Sequence, residues 1–192
     1  MQLFGCDDKA FAKLKDRLVQ VERDQRVTYE NVFGKQDAHD FADAVAKTAA
    51  TRLVAPKLSV LPLQRANLAV KNQTAYIKDF TITKTGDKVI ADPVVDVVWD
   101  GNETEVLATF LPDGTLGIAC DVVFQEVEMP IAEFRTTVVE TAEPVTIQLP
   151  RLTATRITQT AVLGEGSLVV LAARKVDGSW LIALVSAQAR PQ

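Results

Sequence analysis

Apolar and polar positions divide the chain into a short stretch with helical spacing and a long stretch that alternates. Over residues 7–21, Phe11, Leu14 and Leu18 share one face at intervals of three and four. Asp7 and Asp8 precede them, and carboxylates suit the positive end of a helix. A second helix is expected over 37–50, where Asp37 can act as N-cap and Phe41, Val45 and Ala49 recur every fourth residue. Pro56 marks the change, because a helix cannot comfortably continue into a proline.

Beyond that point the signal is strand after strand. Segments 58–61, 66–70 and 75–83 form a first group, closed by a turn at Thr85-Gly86-Asp87. The strand 94–99 runs into Asp100-Gly101-Asn102, a hairpin signal with Gly101 at the position that needs positive φ. Thr104, Val106, Ala108 and Phe110 then alternate with more polar neighbours up to the turn at Pro112-Asp113-Gly114. In the next strand Leu116, Ile118, Cys120, Val122 and Phe124 point one way and their neighbours the other. Further strands are expected at 132–140, 144–149, 153–163, 167–173 and 180–187, with turns at Gly164-Glu165-Gly166 and Asp177-Gly178-Ser179. The expected fold class is therefore mostly β with N-terminal helices: a helical segment over 1–54 and a β-rich domain over 55–192 with about nine or ten antiparallel strands.

Composition adds little to this and subtracts some classes of function. The 192 residues are 47% hydrophobic and 24% charged, ordinary for a folded chain. A net charge of −4 without a Lys/Arg cluster gives no electrostatic footprint for nucleic acid. No window approaches the roughly 18 apolar residues of a membrane helix, a criterion that leaves β-barrels untouched. Leu3-Phe4-Gly5-Cys6 looks like the end of a bacterial lipoprotein signal, although only five residues precede the cysteine. Cys120 reads as a small buried hydrophobe.

Chemistry-bearing residues are sparse. The single histidine, His39, stands beside Asp37 and Asp40 and reads as a solvated or capping side chain. Glu126, Glu128 and Glu133 cluster without the spacing of a calcium loop and read as a charged strand end; a hydrolase built on them is a minor alternative. No nucleophile elbow or phosphate-cradling loop is present, so no catalytic, metal or cofactor-binding residue is assigned and the chain is read as a non-enzyme without cofactor. Thr153, Thr155, Thr158 and Thr160 fill one strand with small β-favouring hydroxyls, either an ordinary half-exposed surface or a barrel wall.

The order of features resembles a known family. Ala55-Pro56-Lys57-Leu58-Ser59-Val60-Leu61, then Gln64-Arg65-Ala66-Asn67-Leu68-Ala69-Val70 and Gln73-Thr74-Ala75-Tyr76-Ile77, resemble the opening of the secretin domain. Asp92 through Gly101, followed by Leu111-Pro112-Asp113-Gly114 and Leu116-Gly117-Ile118, is similar to a secretin hairpin. Val145 through Pro150, Arg156-Ile157-Thr158-Gln159-Thr160 and Gly166 through Leu171 are similar to the family's closing strands. The chain departs from the pattern at Leu171-Ala172-Ala173, where the family has Leu-Gly-Gly. The resemblance covers about residues 50–187 and is nearest to divergent planctomycete-type members.

What it implies is a structural subunit whose antiparallel strands join those of its copies in a large ring or channel for protein secretion. That ring would sit in the outer membrane of a Gram-negative-type cell envelope, with lipid and other envelope proteins as further partners. Thr153, Thr155, Thr158 and Thr160 would then be barrel wall, and Gly101, Gly114, Gly166 and Gly178 hairpin turns. The alternative is a soluble β-sandwich binding or adhesion module without a pore.

Overall fold

The structure, a computed structural model, describes residues 1–23, 26–48, 51–55, 57–86, 88–137, 144–165 and 167–188. In chain order the elements are β1 (Gln2–Cys6), α1 (Asp8–Lys15), β2 (Val19–Arg23), β3 (Arg26–Phe33), α2 (Lys35–Lys47), β4 (Thr51–Val54), β5 (Arg65–Thr85), β6 (Lys88–Phe110), β7 (Leu116–Val127), β8 (Ala132–Thr136), β9 (Val145–Leu149), β10 (Leu152–Leu163), β11 (Leu168–Arg174) and β12 (Trp180–Ser186). The fold is mostly β, and β1 with β12 and β4, β11 with β12 and β3, β2 with β3, and β8 with β9 all pair antiparallel. Among the described residues no sheet closes into a barrel.

The chain divides into two compact units, Met1–Val70 with Asn102–Phe124 and Thr155–Gln192, and Lys71–Gly101 with Gln125–Ala154. This corrects the division expected between residues 54 and 55. The N-terminal residues are not a helical preface: β1 to β4 share a six-stranded sheet with β11 and β12, in the order β2-β3-β11-β12-β1-β4. Four strands were missed there: β1, β2 and β4 have five residues or fewer, and the longer β3 lies between two helical patterns. Val19, expected to continue the first helix, opens β2; α1 stops at Lys15 and Asp16 closes it.

In the first unit the centre of the six-stranded sheet, β1, β11 and β12, is buried on both faces. Phe4, Cys6, Tyr29, Phe33, Val170, Ala172, Trp180 and Ile182 meet Phe11 and Leu14 of α1 and Ala38, Phe41 and Val45 of α2. On the opposite face Leu3, Val169, Leu171, Leu181, Ala183 and Val185 meet Ile118, Cys120 and Val122 of β7 and Ile157 and Leu163 of β10. Sandwiching explains why β11 and β12 are continuous apolar runs, whereas β7 and β10, covered on one face, alternate. Phe11 stacks on Trp180 at 3.8 Å between ring centroids, and Asp8 accepts the indole N–H at 2.7 Å.

Local chemistry accounts for the ends of these elements. Asp7 caps α1 by accepting the N–H of Ala10 at 2.7 Å. The cap of α2 is Gly34, not Asp37, which falls in the first turn and favours the helix through its charge. Two hairpins use one turn chemistry: the carboxylates of Asp113 and Asp177 each accept both the backbone N–H and the hydroxyl of the residue two places on, Thr115 and Ser179. Gly114 and Gly178 supply the positive φ, 82° and 87°, that these turns need. Gly166 and the end of the turn at Asp87 lie outside the described residues.

Two expectations are corrected between residues 55 and 110. Segment 58–61 is not a strand; it is irregular and leads into a turn closed by Gln64 N–H on the carbonyl of Leu61. Asp100-Gly101-Asn102 is not a hairpin either, for Gly101, with φ of 127°, sits inside the 23-residue β6. Asn102 explains the difference. Its fully buried side chain donates to the carbonyl of Val123 and accepts from the Thr104 hydroxyl, so groups that favour a turn in isolation are satisfied within the sheet. The pairs 66–70 and 75–83, and 94–99 and 104–110, accordingly merge into the two long strands β5 and β6.

The turn after segment 58–61 holds Pro62 and then Leu63, whose φ is 64° and whose side chain is 76% exposed. A leucine in that left-handed conformation is strained, and its exposure means little burial is lost with it. Replacing Leu63 with glycine should stabilise the protein by about 1 kcal/mol. A urea midpoint that fails to rise would contradict the strain.

Candidate assembly surface

The second unit leaves many large apolar side chains exposed. Among its described residues Val98, at 6% exposure, is the one buried apolar side chain; the other buried apolar residues lie in the first unit. Ile82, Ile90, Val94, Val95, Val97, Met129, Phe134, Leu149 and Leu152 are exposed instead. Solitary exposed hydrophobes are common, but so many on a unit with so little interior are not.

Their arrangement follows from the two-residue period of β6. Val89, Ala91, Pro93, Val95, Val97 and Trp99 occupy odd positions and form an unbroken apolar row, while Asp92, Asp96 and Asp100 fall on even ones. Lys78 on β5 pairs with Asp96 at 3.0 Å, and Asn72 donates to Asp100 at 3.1 Å, so even positions of both strands share a face. The N–H of Val97, with Lys78, holds the Asp96 carboxyl below its usual range. On the odd face the ammonium of Lys71 lies 4.0 Å above the Trp99 ring. The rest of the β5 odd face is mixed, with exposed Gln73, Ala75, Asp79, Thr81 and Thr83 and a half-buried Ile77.

β7 covers only part of β6. Gln125 reaches the carbonyl of Trp99 at 2.7 Å, and β7 ends two residues later at Val127. Residues 88–96 of β6 therefore run on beyond β7 as a two-stranded ribbon with β5. Pro93 lies on this stretch, where a residue without an N–H is best tolerated. Beside the ribbon β8 and β9 pair from Ala132↔Leu149 to Thr136↔Val145, and Gln148 accepts the N–H of Ile77 at 2.9 Å. That bond satisfies one backbone donor of β5, an edge strand of its sheet.

The residues singled out in the sequence are scattered. The threonines of β10 divide between faces: Thr155 is buried and Thr153 half-buried, whereas Thr158 and Thr160 are exposed. Thr158 donates to Asp121 at 3.1 Å beside Arg156, whose guanidinium holds the Asp121 carboxyl below its usual range. A single threonine wall is thus not formed. His39 faces Asp43, one turn on, at 3.7 Å, rather than Asp37 or Asp40. Glu128 and Arg151 line a shallow recess with Pro130, Ala132 and Leu149. Among the described residues no three His, Cys, Asp or Glu side chains are placed to hold a metal, so Glu126, Glu128 and Glu133 form no such site.

Leu3 through Cys6, the lipoprotein-like segment, is β1, and the Cys6 thiol belongs to the helix-side core. Burial, with Asp7 and Asp8 nearby, pushes that thiol up to about 11; burial, with Asp121, does the same to Cys120. Among the described residues no helix is long and apolar enough to cross a membrane. No protein-family model matches the chain, and neither the curated proteins nor the solved structures gave a match.

Proposed function

We propose that this chain is a structural subunit that works by assembling with copies of itself, not an enzyme. The observation that carries the reading is the second unit: apolar side chains in an unbroken row on β6, with Val98 as the single buried apolar residue among those described there. Such a surface is stabilised when another protein surface removes it from water, at about 25 cal/mol for each Å² covered. The ordered resemblance to secretins supports a ring or channel of the outer membrane for protein secretion as the form of that assembly.

A second reading is favoured by the face-to-face packing of β7 and β10 on the six-stranded sheet, which suits a soluble sandwich that binds or adheres without a pore. Size and detergent dependence separate the two. Light scattering and negative-stain images of protein purified with and without mild detergent should give particles many times the 20.9 kDa of one chain. Replacing Val95 and Val97 with serine should weaken assembly by about tenfold or more while circular dichroism stays unchanged, because both side chains are more than half exposed. A 20.9 kDa particle at every concentration and in every detergent would overturn the assembly reading.

A further inference from the structure

We infer that the copies join head to tail, the β5 side of one ribbon lying against the β6 side of the next. This rests on the assembly reading and specifies its contact. Charge selects the arrangement. Lys78 and Lys84 stand on the even face of β5, and Asp92, Asp96 and Asp100 on the even face of β6. Lys78 is already paired with Asp96, whereas Lys84 and Asp92 form no ion pair with another described residue.

A two-fold contact would set like against like. Two β6 strands side by side would bring Asp92 towards Asp96 or Asp92 of the other copy, and two β5 strands would oppose lysines. A head-to-tail contact instead places the free Lys84 of one copy beside the free Asp92 of the next and repeats that pairing along the assembly. On the odd face it covers the flank of the apolar row from Val89 to Val97 with a neighbouring strand. Pro93 lacks an N–H, so side-chain stripes carry this contact rather than an uninterrupted backbone ladder. A lipid surface suits the row less well, because the adjacent odd face of β5 carries Gln73, Asp79, Thr81 and Thr83 around Ala75 and Ile77, so the apolar strip is interrupted beyond β6. A head-to-tail contact closes into a ring or continues into a fibre, depending on the rotation between copies.

The test is a charge-exchange series followed by sedimentation velocity on the full chain. Lys84→Glu and Asp92→Lys should each weaken self-association by about tenfold or more, since each sets like charges together at the contact. An equimolar mixture of the two variants should assemble again, because each then meets an opposite charge on its neighbour. If the wild-type chain assembles and the variants match it, or the mixture does not recover, the head-to-tail contact is overturned and the assembly reading stands. Tighter association by Asp92→Lys alone would point to the two-fold contact and equally overturn the proposal. A wild-type chain that stays monomeric removes both readings; if it also floats with phosphatidylcholine vesicles, the apolar row belongs to lipid.

Discussion

Shortening Ile182 to alanine should destabilise the protein by about 2–5 kcal/mol, and shortening its neighbour Leu181 should cost about as much. Both side chains are fully buried, and adjacent residues of a strand point to opposite faces. Ile182 therefore opens a cavity among Phe11, Phe41 and Trp180 on the helix side, and Leu181 opens one among Val122, Ile157 and Leu163 on the sheet side. On a sheet with one face in water, one of two adjacent positions would be nearly silent. Urea denaturation of both variants decides the matter: a loss under about 1 kcal/mol at either position would mean that the sheet is not covered on that side.

Raising the pH from 9 towards 11 should remove about 2–3 kcal/mol of stability for each of the two thiols. Cys6 and Cys120 titrate near 9.0 when exposed and at about 11 in the fold, where burial penalises the thiolate. Their folded values are raised, so the contribution is fully present below pH 9, where both states hold the proton. It is lost as the pH rises through 11, because the unfolded chain releases its protons first. Other groups titrate in the same range, so the informative quantity is a difference. A Cys6→Ala/Cys120→Ala double variant should show a shallower alkaline fall in urea midpoint than the parent. Equal slopes would show that the thiols are not buried as described.

Strands with one covered face were legible in the sequence because alternation is a local signal. Ile118, Cys120, Val122 and Phe124 were placed on one face by spacing alone, and they are the inward residues of β7. The continuous runs of β11 and β12 were read as strands too, but not as the centre of a sandwich, since nothing local says what covers a run of valine and leucine. The failure at Gly101 has a different cause. Asp-Gly-Asn is a turn in a short peptide, and the carbonyl of Val123, supplied from 21 residues away, helps to make a strand of it by accepting from the buried Asn102 amide. The candidate surface was partly visible: aspartates at 92, 96 and 100 mark one face of β6 and leave the other apolar from Val89 to Trp99. Its exposure was not visible, because no sequence pattern shows where β7 ends.

The position of β1 bears on how the protein comes into being. Gln2 pairs with Leu184 and Cys6 with Trp180, so β1 is held by β12, which leaves the ribosome after every other described strand. Between those events β1 can pair only with the short β4, in a bulged register, and the apolar faces of α1 and α2 have no complete sheet to cover. Structure of such high contact order forms late, and the β5–β6 ribbon, whose strands are neighbours along the chain, can form well before it. During synthesis the ribbon thus forms before the core of the first unit is complete, and its apolar row stands open to water throughout that interval.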